Sequence, residues 1–424
     1  MCSAFKVNRF VAIDIGQLRI GMYVQLETGW LRHPFPVNSF KITTSEQLTA
    51  LAGLKLKAVQ VDLSKSDVQD AESVQSDSSP ANPPGSADSH RSDTEVWRDR
   101  VLAVQSQFLG AVSVFDEVQA QLPASPESAR ALTDTLVVQQ VVKLAQERDI
   151  SLHLLADAGG ATFGIHGVNV AVLSLLLGKT LGLRNEVLQD LGTSALLHDI
   201  GKPLLNILAT ACAFNQGSAA VLLRETAYAR HVGESVALAM SMGYTPSVTT
   251  AIAQHHEWAD GSGFPLGLLE ADMDIAGQIL ALTNNFERLC NLPELGNEMT
   301  PHEAIAALYG QYRQRYAPDV LKAFVQTLGV YPPGSLVELS DGRLGVVVSV
   351  NTSQSLKPQV LTYDALAPQK MQHVDLLVHV GLGIRRGLTR NQVPRKTLEV
   401  LQPQRRLCYF FDSSAVKAAE KDSL

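Results

Sequence analysis

Cysteine is scarce and scattered. Cys2, Cys212, Cys290 and Cys408 form no CxxC pair and no zinc-ribbon spacing. Isolated thiols suit a reducing compartment, so a cytoplasmic protein is expected. No basic stretch leads into a long apolar run near the first residue, so no secretory signal is expected. The longest mainly apolar stretch, Val168–Gly178, falls short of the roughly 20 residues that a membrane span needs, and no membrane span is expected. Long Lys/Arg runs are also missing and the net charge is −7, which argues against a nucleic acid polymer as partner. A small anionic ligand stays compatible, because a few local cations or metals can hold one.

What is present is an ordinary globular balance, 46% hydrophobic and 18% charged, enough for a sizeable core. The 424 residues suggest more than one folding unit at about 150 residues each. Up to about Asp62 short β-like runs alternate with turns: Phe10–Ile13, Met22–Leu26 and Ala58–Val61, with a short helix near Ser45–Leu54. Residues 1–63 therefore read as a small α+β module. Residues 64–94 are rich in Ser, Asp, Pro, Gly and Ala, with Val68 and Val74 as the only large aliphatics; such a segment buries too little apolar surface to order itself and is expected to be a flexible linker.

Helical spacing starts near Glu95, where Val101, Val104, Phe108, Leu109, Val112 and Phe115 recur at three and four residues. A second helix is expected over Ala129–Glu147, and residues 95–150 form a helical connector. Several more helices are expected between His166 and Leu328, within a domain set at 151–330. Beyond it, Ser335–Leu339 and Gly345–Val348 flank Ser340-Asp341-Gly342 as a hairpin would. Gln359–Tyr363 and Val374–Val380 are further expected strands, so residues 331–424 read as a β-rich appendix. The fold class is mainly α: a helical core between a small α+β module and a β-rich tail.

Chemistry concentrates in the helical block. In Leu196-Leu197-His198-Asp199-Ile200-Gly201-Lys202, an adjacent His-Asp pair offers a metal both an imidazole and a carboxylate, and a carboxylate can bridge two metals. His255-His256-Glu257 follows, then Asp260-Gly261-Ser262-Gly263-Phe264-Pro265, a glycine-rich loop that lets backbone approach a ligand. His166 and His231 lie on expected helices. A lone helical histidine is usually structural, but here five of the eleven histidines join Asp199 in one block. The N/O donor set His166, His198, Asp199, His231, His255 and His256 suits iron or manganese as well as zinc.

These motifs, in this order, resemble the HD-GYP domain, a subgroup of the HD metal-dependent phosphohydrolases. The likeness covers about His166–Leu328, with Gly263-Phe264-Pro265 in place of Gly-Tyr-Pro. The segments Trp30–Phe35 and Asn38–Lys41 resemble the small domain often found ahead of this type. The resemblance implies two divalent metal ions, iron or manganese, bridged by Asp199 and a hydroxide that attacks phosphorus in line. His166 and His198 would serve one metal; His231, His255 and His256 would serve the other. Asp199 and Lys202 would be the catalytic groups, and Lys202, Gly261, Gly263, Phe264 and Pro265 would meet the substrate. The implied substrate is cyclic di-GMP, opened to the linear dinucleotide and onward to GMP. A signalling protein is a further expected partner.

The pattern also departs from the family. Asn284 stands where an Asp usually completes the first metal's shell, and Glu287 replaces the next Asp on that helix. Thr162 replaces a Glu found in some members, Gln278 and Trp258 replace arginines, and Asn291–Leu295 replaces an Arg/Pro/Tyr segment. Lost cations would weaken substrate binding. Two alternatives therefore stand beside hydrolysis: a degenerate domain that binds cyclic di-GMP or a protein without turnover, and an HD phosphohydrolase for another nucleotide.

Overall fold

The computed structural model describes residues 10–25, 39–42, 45–52, 58–62, 66, 93–147, 149–155, 162–203, 219–291, 299–363, 371–379, 381–401 and 406–413. They fall into two compact units, within Met1–Leu102 with Ala365–Met371 and within Ala103–Asp364 with Gln372–Leu424. In the smaller unit, strands β1 (Phe10–Asp14), β2 (Tyr23–Gln25) and β3 (Ser39–Lys41), helix α1 (Ser45–Ala52) and strand β4 (Ala58–Asp62) follow one another. The sheet order is β1-β4-β2-β3, antiparallel throughout. Alternation in β4 turns Val59 and Val61 into a core with Leu18, Val24, Ile42 and Leu51. Trp30–Phe35 and Asn38 lie outside the described residues, as does the expected linker apart from Ser66, Asp93 and Thr94.

The larger unit is mainly helical. Helix α2 (Asp93–Gln121) enters it from Ala103, and its expected face is buried at Val104, Phe108, Val112 and Phe115. Helix α3 (Pro126–Gln146) starts on the Ser125 cap with Pro126 in its first turn. Then come strand β5 (Ile150–Leu155) and helices α4 (Thr162–Thr180), α5 (Asn185–Leu197), α6 (Ala219–Ser241), α7 (Pro246–Gln254), α8 (Ile275–Asn291), α9 (Pro301–Tyr309) and α10 (Pro318–Leu328). Helix α4 is apolar on every side, as a helix wrapped by others must be; it packs against α5 and α8. Two stretches, Trp97–Gln121 and Phe163–Thr180, have the length and apolarity of a membrane span. The second is 72% buried inside the protein, which identifies it as a core helix.

The C-terminal part adds strands β6 (Leu336–Leu339), β7 (Leu344–Asn351), β8 (Gln359–Tyr363), β9 (Met371–Asp375) and β10 (Ile384–Leu388), helix α11 (Arg395–Leu401) and strand β11 (Cys408–Ser413). The β6–β7 hairpin turns at Gly342, which has a φ of 89°. Two expectations need correction. The strand expected at Val374–Val380 lies earlier, at Met371–Asp375, and the chain turns at Val378, whose N–H donates to Asp375. The sheet is also larger than the tail: its order is β10-β6-β7-β5-β11, so β5 enters it from ahead of the helices. Strand β11 pairs antiparallel with β5, Cys408 opposite Leu155 through Ser413 opposite Ile150.

Candidate metal centre

Four helices deliver the expected ligands to one point. His198 caps the C-terminus of α5 and His255 that of α7, His231 sits inside α6, and His166 lies in the first turns of α4. The last carbonyls of a helix lack intrahelical partners, and two rings use them. His198 Nδ1 is 2.7 Å from Ala195 O and His255 Nδ1 is 2.6 Å from Ile252 O. His231 Nδ1 bonds Tyr228 O in the same i−3 pattern. His166 Nδ1 instead faces Glu287 Oε2 at 2.5 Å. A carbonyl or carboxylate only accepts, so Nδ1 carries the proton in each ring and Nε2 of the neutral ring presents a lone pair.

Those lone pairs converge on Asp199. His231 and His255 Nε2 lie 3.2 and 3.6 Å from Oδ1, and His166 and His198 Nε2 each lie 3.4 Å from Oδ2. Within each pair the two Nε2 atoms are 3.1 Å apart. Ring nitrogens so close repel unless a cation or a proton lies between them. Two groups meet metal-ligand spacing, Asp199 with His231, His255 and His256, and Asp199 with His166 and His198. Asp199 Oδ1 and Asn284 Oδ1 are buried without a hydrogen-bond partner, as oxygens reserved for an ion would be. The donor set fits metal binding.

Electrostatics agree for His198, His255 and His256, whereas His166 holds a proton that an ion would have to displace. Burial, with the neighbouring His198 and His231, lowers His255 to about 3, and burial lowers His198 and His256 too, keeping these imidazoles neutral. Burial opposes the Asp199 carboxylate, but Lys202 and His198 outweigh it and hold it well below the ordinary carboxylate range. Burial likewise opposes charge on His166, yet Glu287 and Asp199 raise it to about 9. Lys202 Nζ pairs with Asp199 Oδ2. Gly201 allows this corner: a Cβ there would meet Ser235 N at 2.6 Å.

The loop after the His-His-Glu motif folds over the second group. Glu257, fully buried, accepts from Leu266 N at 2.6 Å and Leu268 N at 2.9 Å, and Phe264 N donates to His256 O at 3.0 Å. The Phe264 ring stacks on His256 with centroids 4.5 Å apart. Gly263 lies so close to the Glu257–Trp258 backbone that a Cβ would fall 2.3 Å from Trp258 N. Gly261 has a φ of 77°, and the Phe264–Pro265 peptide is cis.

Several roles were not foreseen. A pocket beside the cluster is lined by Tyr228, His255, His256, Trp258, Phe264, Ala281, Asn284, Asn285 and Arg288. Arg288 Nη1 donates to Tyr228 Oη at 2.7 Å, and the Arg315 guanidinium lies 3.8 Å over the Trp258 ring. Cations thus stand at this pocket although Gln278 and Trp258 replace arginines. Gln278 turns away, donating to Glu270 O and Met273 O. Glu287 bonds His166 rather than taking the Asn284 position. Arg288 follows Asn284 by one helical turn, a spacing that shares a face and was there to be read. The Thr162 side chain and Leu292–Leu295 lie outside the described residues.

Residues 138–320 match the HD domain family, and residues 11–135 match a domain of unknown function (DUF3391). The chain is 27% identical over 378 residues to a cyclic di-GMP phosphodiesterase of Pseudomonas aeruginosa, covering 86% of this chain and 88% of that one. It is 30% identical over 170 residues to the 3'3'-cGAMP-specific phosphodiesterase 1 of Vibrio cholerae, 38% of each chain. A solved HDGYP protein from Bdellovibrio bacteriovorus is 16% identical with a TM-score of 0.39, covering 74% of this chain and 98% of that one. The HD match spans the helices that carry the histidines, and the other match lies ahead of it; together the matches support an HD-GYP protein with an N-terminal domain.

Proposed function

We propose that the chain is a metal-dependent phosphodiesterase that opens cyclic di-GMP to the linear dinucleotide. The observation that carries this reading is the Asp199 carboxylate, with one histidine pair facing each oxygen. Metal ions held there would supply Lewis acidity and a water acidified for attack on phosphorus. His166, His198 and Asn284 would hold one ion, and His231, His255 and His256 the other, with Asp199 shared. Lys202, now paired with Asp199, would turn its ammonium to a phosphoryl oxygen. Arg288 offers guanidinium donors to a phosphate at the pocket. Phe264 and the Glu257-held loop close that side against water. The relatives named above, both cyclic dinucleotide phosphodiesterases, support the substrate class.

The second reading, binding without turnover, rests on Asn284, whose neutral amide is a weaker ligand than a carboxylate. The deciding experiment supplies purified protein, prepared without oxygen, with iron or manganese. Metal content, cyclic di-GMP binding and product formation are then measured together, with 3'3'-cGAMP as a second substrate. About two metals per chain and a linear dinucleotide product are expected. Binding without product would favour the receptor, preference for 3'3'-cGAMP would move the substrate, and a metal-free protein would overturn the site.

A further inference from the structure

The C-terminal strand reaches the metal centre through two amides, one buried and one half-buried. Asn169 lies one turn after His166 on α4 and is fully buried, and Asn291 lies one turn after Glu287 on α8. Asn169 Nδ2 donates to Glu287 Oε1 at 3.0 Å and to Leu407 O at 2.9 Å, while its Oδ1 accepts from Tyr409 N at 2.8 Å. Asn291 Nδ2 donates to the same two acceptors at 2.8 and 2.9 Å, and its Oδ1 accepts from Leu407 N at 2.8 Å. The partners permit only one orientation of each amide. Carboxylate and carbonyl oxygens require Nδ2, and backbone N–H groups require Oδ1. Glu287 Oε1 is therefore filled by two amide donors, leaving Oε2 for His166 Nδ1 at 2.5 Å.

We infer that the Leu407–Tyr409 backbone, acting through Asn169 and Asn291, positions Glu287 and so orients His166 as a metal ligand. This rests on the proposed metal site. Partners behind a ligating histidine set its ring orientation and basicity, and their loss typically weakens metal binding about 10- to 100-fold. The link acts on one histidine pair only: among the described residues the two amides bond Glu287, Leu407 and Tyr409, not His231, His255 or His256. The C-terminal strand is thus a positioning element for half of the centre. By reciprocity of coupling, an ion held by His166 should tighten the strand's docking.

Two measurements on the full-length protein test this. Manganese titrations by calorimetry and electron paramagnetic resonance compare wild type with Asn291→Asp, which keeps the acceptor for Leu407 N–H but sets a carboxylate beside Glu287, and with Glu287→Gln. One of two manganese ions should weaken at least tenfold in both variants, and the signal of a coupled pair should give way to that of an isolated ion. Hydrogen exchange at the Leu407 amide should slow on manganese addition in wild type but not in Glu287→Gln. Two ions held as tightly in the variants, or a Leu407 amide indifferent to manganese, would overturn the inference and leave the proposed function standing. A wild type that binds no manganese would overturn both.

Discussion

At the scale of single residues, Asn284 and Arg288 divide the labour of the pocket. The Asn284 amide oxygen is buried and unbonded beside the cluster, so Asn284→Asp adds an anion where a metal is proposed. Metal occupancy and turnover should both rise several-fold, measured on the same metal-loaded sample. Unchanged turnover would remove Asn284 from the ligand set. Arg288 is one helical turn further along and faces the ligand side. A hydrogen bond to a charged group contributes roughly 1.5–3 kcal/mol, about 10- to 100-fold in binding. Arg288→Ala should therefore raise KM for cyclic di-GMP by that order while metal content stays at wild type. Arg288→Lys should recover only part, because an ammonium lacks the planar fork. An effect on kcat alone would place Arg288 elsewhere in the reaction.

At the scale of elements, the loop over His256 is set by close approach. A methyl at Gly263 would press on the Glu257–Trp258 backbone, which cannot give way as a flexible side chain can. Gly263→Ala should displace Phe264 from His256 and lower turnover at least tenfold while metal analysis stays unchanged; near-normal kinetics would mean that the loop is not part of the working site. The paired motifs of this region were legible because His198-Asp199 and His255-His256 stand at helix ends, where local sequence suffices. Strand β5 was not. Ile150–Leu155 is buried at every position, and a short apolar run has no period to tell strand from helix; its partner β11 lies far off in sequence. The Asn169–Glu287–Asn291 network was equally hidden, because three helix-borne polar residues look like an ordinary solvated face until packing joins them. The pocket arginines were half visible, since Arg288 shares a face with Asn284 but Arg315 reaches Trp258 only through the fold.

At the scale of the whole molecule, the domain limits proposed from composition can be tested directly. Limited proteolysis should cut first between residues 64 and 93 and leave a C-terminal fragment that keeps its metal. Early cuts within 166–328 would move the boundaries. The opposite end should not tolerate trimming. Tyr409, Phe410 and Phe411 are all fully buried, and burying one such ring contributes roughly 1.5–3 kcal/mol. Removing residues from 406 onward exposes the β5 edge and that apolar lining, an invitation to aggregate. The truncated protein should aggregate or melt well below the full chain in a thermal scan. A monomer of unchanged melting temperature would show that β11 is dispensable.

The pairing of β5 with β11 also sets a timetable for synthesis. Ile150–Leu155 leaves the ribosome roughly 250 residues before its partner, a wait of about 12 to 50 s at about 5–20 residues per second. During that interval the helices between them can assemble, but one edge of β5 has only solvent or a chaperone to meet. Ribosome-bound chains halted before residue 407 should therefore recruit chaperones and be cleaved near β5 more readily than released chains. The larger unit reaches its final form only after β11 has left the ribosome.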